Sequence, residues 1–274
     1  MRAAILQMTA GIDPAENSAA LVDAVKAARE GGADMLFTPE MSNLLDRDRT
    51  RSEAVLRYER DDPTLAAVRA AAATAGLWVH LGSLALRGPD GKRLNRGFLI
   101  DDHGAVRAHY DKIHLFDVDL ATGESWRESA VYERGARAVA SETPWGRLGL
   151  SICYDIRFPD LYRALTGAGA RLLAIPAAFT VPTGQAHWHV LLRARAIEAG
   201  VFVVAAAQAG AHADGRETFG HSLVVDPWGE VLLDMGPEPG LGFADIDLAR
   251  VDEVRGRVPA IAHRRDIPPV DIAP

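Results

Sequence analysis

Apolar residues in this chain fall into short continuous runs, and between them come longer stretches where they recur every third or fourth position. The runs predict strands and the periodic stretches predict amphipathic helices. Ala3 to Met8 reads as a strand, Asp13-Pro14 supplies an N-cap and first-turn proline for a helix ending near Gly31-Gly32, and Met35 to Thr38 resumes the sheet. A second helix is predicted from Asp62-Pro63 to about Gly76, followed by strands over Leu77 to Leu84, Gly97 to Ile100 and Ala105 to Tyr110. Asp101-Asp102-His103-Gly104 turns between the last two. Beyond a strand at Gly149 to Ile152 come a helix over Asp160 to Ala168, a strand over Arg171 to Ile175 and a helix from about Gln185 to Ala199. Trp188, Leu191, Leu192, Ala196 and Ala199 share one face of that helix. Val201 to Ala206, Ser222 to Val225 and Glu230 to Leu233 complete the strands, with a turn at Asp226-Pro227-Trp228-Gly229.

This alternation, with no linker and no internal repeat, predicts one layered α/β domain over residues 1–265 and a proline-rich tail over 266–274 that cannot be helical. The stretch from His114 to Arg137 is polar, dotted with aromatics and aperiodic. A loop of that length inside a compact domain is usually functional, and we read it as a wall of the site.

At 274 residues and 48% hydrophobic content the chain can bury a sizeable core. Its formal charge is −7, from 37 acidic and 30 basic side chains, and no block of Lys or Arg is dense enough to follow a nucleic-acid backbone. The apolar run at the start is too short for a signal peptide, and no run of about eighteen apolar residues could span a bilayer. These readings predict a cytosolic protein that meets small molecules, not nucleic acid or membrane. Gly82, Gly88 and Gly91 match no phosphate-binding spacing and read as turns. The one cysteine, Cys153, excludes an intramolecular disulfide and lacks neighbours with zinc-like spacing. It is either a small buried hydrophobe or a reactive thiol, and only partner residues decide between the two.

Glu40 follows Leu36-Phe37-Thr38-Pro39, Lys112 follows His109-Tyr110-Asp111, and Cys153 follows Gly149-Leu150-Ser151-Ile152. Strand ends of a layered α/β protein converge on one edge, so the three can meet, although either charge alone would pass for a solvated side chain. Their order and flanking residues resemble the nitrilase superfamily of carbon–nitrogen hydrolases from Ala3 to about Arg265. The longer motifs resemble its Nit branch. They are Lys112-Ile113-His114-Leu115-Phe116-Asp117, Cys153-Tyr154-Asp155-Ile156-Arg157-Phe158-Pro159, Ala186-His187-Trp188, Leu191-Leu192-Arg193-Ala194-Arg195-Ala196-Ile197-Glu198, and Gly220-His221-Ser222 through Pro227-Trp228-Gly229. Ala205-Ala206-Ala207-Gln208 with His212 and Arg216 is similar to the Nit type that hydrolyses deaminated glutathione, more than to the type acting as an ω-amidase on α-keto acid amides.

The resemblance implies a single four-layer α-β-β-α sandwich that pairs through helical faces into a homodimer or larger homo-oligomer. It also implies cleavage of a carboxamide to carboxylate and ammonia through a thioester on Cys153, with Glu40 as general base and Lys112 stabilising the oxyanion together with a backbone N–H just after Cys153. Glu128 would hold Lys112 and bond the substrate amide. No metal or organic cofactor is implied. For substrate binding the expectation falls on Tyr154, Arg157, Phe179 and Thr183, the last two on the loop leading into the Trp188 helix. Arg157 either grips a keto-acid carboxylate with its planar fork or forms a structural salt bridge with Asp155 or Asp160. One departure stands out: Nit relatives usually read His-Trp-Glu where this chain has His187-Trp188-His189. Two histidines at i, i+2 point to different sides of a helix and predict no metal site between them. The reading from another class, a non-catalytic interaction protein of the same fold, would be marked by loss of Glu40, Lys112 or Cys153, and all three are present.

Overall fold

Both predicted Asp-Pro helix starts are built as capped N-termini in the computed structural model, which describes residues 1–119, 123 and 125–273. Asp13 and Asp62 each accept a hydrogen bond from the first turn of the helix they open, and the following proline has no N–H to leave unpaired. The first half runs β1 (Arg2–Gln7), α1 (Pro14–Glu30), β2 (Met35–Phe37), α2 (Arg49–Val55), α3 (Pro63–Ala75), β3 (Trp78–Arg87), β4 (Arg93–Ile100) and β5 (Val106–Asp111). A ribbon of β6 (Asp117–Asp119) and β7 (Ser125–Arg127) precedes β8 (Val139–Thr143), β9 (Gly146–Leu150), α4 (Pro159–Gly167), β10 (Leu172–Ala174) and α5 (Val181–Ala199). The chain closes with β11 (Phe202–Ala205), β12 (Ala209–Ala211), β13 (Glu217–Phe219), β14 (Leu223–Val225), β15 (Val231–Asp234), β16 (Gly240–Asp245) and α6 (Ala249–Arg257).

Two six-stranded sheets form, in the orders β16-β1-β2-β3-β4-β5 and β15-β14-β11-β10-β9-β8. The side-chain period of two along a strand divides the core. Ala3, Ile5, Met35 and Phe37 pack in the core that includes the second sheet, whereas Ala4, Leu36 and Val79 join Leu21 and Val25 of α1 and Leu65 and Val68 of α3. Leu161 and Leu165 of α4, with Trp188, Leu192 and Ala196 of α5, cover the second sheet. The result is helix, sheet, sheet, helix, as the family resemblance implied. Each large apolar side chain fully buried here contributes roughly 1.5–3 kcal/mol.

Topology sets where the site falls. β1, β2 and β3 are parallel, β5 runs with β3 because each is antiparallel to β4, and β9, β10 and β11 are parallel in the other sheet. Glu40, Lys112 and Cys153 follow the carboxyl ends of β2, β5 and β9.

Several boundaries differ from the sequence reading. The strand before Cys153 is Gly146–Leu150, so Ser151 and Ile152 lie beyond it. α5 begins at Val181 because Pro182 fits its first turn, and Thr183 is therefore helical, not on a loop. The segment from His114 to Arg137 contains the β6–β7 ribbon and a single 3-10 turn at Glu128–Ala130, while residues 120–122 and 124 lie outside the described residues. β8 and β16 are half-exposed edge strands, and α2 and α6 are mostly polar or charged, so their apolar pattern was too weak to read. Residues 266–273 are exposed and carry no regular structure.

Gly82 is not a turn. It sits inside β3 at a register shift, where a Cβ would meet Thr38 O at 2.0 Å and Pro176 Cβ at 2.6 Å. Its missing side chain lets the turn carrying Glu40 approach the segment of the second sheet that supports Cys153.

Candidate active site

The turn after β2 holds Glu40 beside Met41, whose φ of +55° is left-handed. Lys112 is fixed by its own backbone, donating to Asn95 O at 3.0 Å and accepting from Gly135 N at 2.9 Å. Cys153 also has a left-handed backbone, with φ of +50°, and its N–H donates to Pro176 O at 2.8 Å. For residues with a Cβ such geometry costs on the order of 1–3 kcal/mol and persists only where surrounding structure enforces it. Here it turns the chain sharply out of the strand and into a one-turn 3-10 helix, Cys153–Arg157, leaving the thiol at the turn. Tyr154 lies in the first turn of that helix, where backbone N–H groups have no intrahelical acceptor.

The side chains converge. Lys112 Nζ lies 2.8 Å from Glu40 Oε1 and 2.9 Å from Glu128 Oε2. Glu40 Oε1 also accepts from Asn95 Nδ2 at 2.8 Å, and its Oε2 from Ala178 N at 3.0 Å. Glu128 is anchored by Phe116 N at 2.7 Å and Asn95 Nδ2 at 3.2 Å. Lys112 and Glu40 are 2% and 4% exposed, so these charges depend on one another rather than on water.

The Lys112 ammonium nitrogen lies between two carboxyl groups, and burial acts against these neighbours at each shifted group. Burial works to raise the Glu40 pKa, but the Lys112 charge and the hydrogen bonds from Lys112, Cys153 and Asn95 outweigh it and hold the carboxyl below its ordinary value. Burial disfavours the Lys112 ammonium, yet Glu128 and Glu40 keep its pKa well above normal. For Cys153, burial and then the Glu40 charge push the thiol well up, against the pull of Lys112. These shifts favour a carboxylate at Glu40, an ammonium at Lys112 and a neutral thiol at Cys153.

A cavity of about 380 Å³ opens over this cluster and is lined by Glu40, Lys112, Glu128, Cys153, Tyr154, Arg157, Phe179 and Thr183 among others. Every site residue read from the sequence is therefore brought to one place. Arg157 forms no salt bridge with Asp155 or Asp160. Its guanidinium lies 5.8 and 5.6 Å from the Tyr154 and Phe179 rings and within 3.3 Å of His187 Nδ1, with no carboxylate partner among the described residues. Thr183 reaches the cavity from the first turn of α5, its hydroxyl 2.8 Å from that of Thr180.

The sequence reading missed Asn95, Ala178, Tyr110 and Asp155. Asp155 is fully buried and accepts from Ile152 N at 2.9 Å, Tyr110 Oη at 2.7 Å and His114 N at 3.0 Å, with His114 Nδ1 at 2.7 Å. It ties the Cys153 turn to the segment just after Lys112. Its only signal was a carboxylate two residues past the cysteine, which the reading treated as a partner for Arg157.

Residues 2–256 match the family model for carbon-nitrogen hydrolase. The nitrilase and fragile histidine triad fusion protein NitFhit of Caenorhabditis elegans is 40% identical over 96% of this chain, which spans 60% of that fusion's length. Its crystal structure gives a TM-score of 0.89 at 39% identity, covering 96% of this chain and 65% of the other. A Synechocystis protein named deaminated glutathione amidase is 38% identical over 96% of this chain and 97% of its own. A glutamate-to-glutamine mutant of an amidase from Nesterenkonia, 30% identical, gives a TM-score of 0.81 over 97% of this chain and 94% of that one. It is solved with the acetamide moiety of fluoroacetamide covalently added at its active-site cysteine. With the family model reaching across nearly all of its length, the chain belongs to the carbon-nitrogen hydrolase family.

Proposed function

We propose that this carbon-nitrogen hydrolase is an amidase that acts on deaminated glutathione through a thioester on Cys153. The observation that carries the reading is the meeting of the buried Glu40–Lys112 pair and the partly buried Glu128 with a lone thiol on a left-handed turn, inside a cavity. The names of the Synechocystis and Nesterenkonia relatives support the substrate and the cysteine respectively.

In this reading Glu40 takes the thiol proton as Sγ attacks the amide carbon. The carbonyl oxygen becomes an oxyanion, met by Lys112 Nζ and the Tyr154 N–H, each donor supplying about 3 kcal/mol of transition-state stabilisation. The C–N bond breaks as Glu40 passes the proton to the departing nitrogen, leaving the acyl group on Sγ. Glu40 then deprotonates water, which attacks the thioester and releases a carboxylate while the thiol is restored. Glu128 keeps Lys112 aimed throughout and meets the substrate amide. Every step is a proton or acyl transfer, so the reading calls for no cofactor.

Deaminated glutathione carries a 2-oxo carboxylate at one end and a glycine carboxylate at the other. Arg157, without a carboxylate partner among the described residues, suits the first. Arg47 and Arg216, whose guanidiniums lie 4.7 and 5.1 Å from the Trp126 ring at the cavity wall, suit the second. The scissile bond is a secondary amide, so the amine released is cysteinylglycine and not the ammonia expected from the sequence; an α-keto acid ω-amide would release ammonia.

We assign the hydrolase domain to residues 1–265 and place the protein in the reducing cytosol, where Cys153 stays a free thiol. No helix among the described residues is long and apolar enough to cross a membrane. Exposed Val190 and Ile197 on α5, with Trp228 and Val258 nearby, support pairing into a homodimer through this face.

The test supplies purified protein with deaminated glutathione or with α-ketoglutaramate and measures 2-oxoglutarate, cysteinylglycine and ammonia. Faster release of equimolar 2-oxoglutarate and cysteinylglycine, reduced at least about 10³-fold in Cys153→Ala at unchanged circular dichroism, is the expected outcome. Preference for α-ketoglutaramate would make the enzyme an ω-amidase, and undiminished turnover in Cys153→Ala would remove the nucleophile.

A further inference from the structure

Away from the cavity, three elements distant in sequence bring two imidazoles and a carboxylate together. His189 lies on α5, His221 between β13 and β14, and Asp234 ends β15. His189 Nε2 is 2.9 Å from Asp234 Oδ2 and His221 Nδ1 is 2.9 Å from Asp234 Oδ1. One donor atom from each residue lies within 4.8 Å of the other two. None of the three lines the catalytic cavity.

The histidine at 189 meets these partners while His187, two residues earlier, faces Arg157. The corner is fixed by bonds that involve no ion. Trp188 Nε1 donates to His221 O at 2.8 Å, joining α5 to the corner. His221 N donates to Gly236 O at 2.8 Å, and Gly236 N returns a bond to Asp234 Oδ1 at 2.9 Å. His221 has a left-handed φ of +54°, and its ring stacks on Phe219 with centroids 4.4 Å apart. A non-glycine residue held in that conformation points to an imidazole whose direction is imposed by the fold. Asp234 pairs with no Lys or Arg among the described residues, and its carboxylate oxygens face the two imidazoles instead.

We propose that His189, His221 and Asp234 form a binding site for a divalent first-row transition metal, zinc by preference. Two imidazole nitrogens and one carboxylate oxygen suit Zn²⁺, and the partial exposure of all three side chains leaves room for water at the fourth position of a tetrahedron. The hydrogen bonds that now link Asp234 to the imidazoles would give way to bonds to the ion, and each histidine would bind in its neutral form. The role is structural: the ion cross-links α5, whose first turn lines the cavity, to the β13–β15 corner. This inference does not depend on the substrate assigned above.

The test uses the full chain carrying Cys153→Ala, which removes the thiol as a competing ligand, stripped of metal by a chelator. Titration with Zn²⁺ against a chromophoric competitor should give one equivalent bound and a rise in Tm, and Co²⁺ should give visible d–d bands of a low-coordinate nitrogen and oxygen site. Adding His189→Ala or Asp234→Asn should weaken Zn²⁺ by at least about 100-fold, since loss of even an outer partner of a metal ligand costs 10–100-fold. His103→Ala, an exposed histidine elsewhere, should leave binding unchanged. Absence of a stoichiometric site in folded protein, or equal affinity in the two ligand variants, overturns the proposal.

Discussion

The two sheets bring unlike material to the same cavity. The first supplies charge, Glu40 after β2 and Lys112 after β5, with the neutral amide of Asn95 on β4 donating to Glu40 beside their ion pair. The second supplies a neutral thiol and a backbone donor, Cys153 and Ala178, positioned by a left-handed turn and by the carbonyl of Pro176. On one side geometry is enforced electrostatically, on the other by backbone conformation. The division favours a neutral thiol, because burial and the Glu40 charge together outweigh the pull of Lys112 on Cys153. It also makes the reaction depend on how closely the sheets approach, which Gly82 permits.

Breaking the charged side gives the largest expected effect. Glu40→Gln removes the base but leaves Lys112 paired with Glu128, so the protein should fold while kcat/KM for amide hydrolysis falls about 10²–10⁴-fold. The same variant separates the two influences on the thiol. Burial still holds Cys153 up, but the Glu40 charge is gone and Lys112 still pulls down, so thiol ionisation should move to lower pH. Iodoacetamide labelling followed against pH reads this directly. A labelling profile that stays in place, or moves upward, would mean that the charged side does not control the thiol.

How much of this arrangement was legible depended on the kind of restraint. Glu40, Lys112 and Cys153 each follow a predicted strand closely, so their convergence on one edge could be read from the pattern, and the motif strings supplied the rest. The α5 face was equally clear because Trp188, Leu192 and Ala196 keep helical spacing and are all buried. Restraints made by backbone and by single polar residues were not legible. The left-handed conformations of Met41 and Cys153 leave no mark in residue type, since neither is glycine. Gly82 looked like a turn because nothing local distinguishes a bulge from one. Asn95 lies in a strand whose start, Arg93 to Arg96, is polar, and so its role as donor to both carboxylates went unseen.

Asp155 joins the two sides, and removing its charge should have a smaller effect. Asp155→Asn presents an amide N–H to a place built only to accept, facing Ile152 N, Tyr110 Oη and His114. A loss of about 3 kcal/mol in unfolding free energy is expected from the bonds disrupted. Because Asp155 touches neither cavity nor substrate, its effect on the reaction should appear as a lower kcat with KM nearly unchanged. Denaturant unfolding and steady-state kinetics check the two effects separately. A variant that loses stability but keeps full kcat would make Asp155 a fold residue with no part in aligning Cys153 and Lys112.

The smallest effect isolates what pairing does for the charged side. His80, on the same β3 strand as Gly82, is buried without a charged partner acting on it, and burial alone lowers its pKa to about 3 from an ordinary 6.5. Glu40 and Lys112 answer burial by pairing; His80 answers it by staying neutral. Below pH 6.5 the unfolded chain takes up a proton at this position and the folded chain does not, so the stability contributed by neutral burial is fully present above 6.5. It is lost as pH falls toward 3. At 1.36 kcal/mol per unit the loss reaches about 2 kcal/mol by pH 5. Glu40, also depressed, begins to add its own loss only below its unfolded value of 4.5, so the loss between pH 6.5 and 5 comes from His80 and from His212, whose pKa burial also lowers, rather than from the cluster. Urea unfolding at pH 7 and pH 5 should therefore show a smaller decline for His80→Gln than for the parent, by about that 2 kcal/mol. An equal decline in both proteins would place the acid sensitivity elsewhere and leave His80 titrating alike in the folded and unfolded chains.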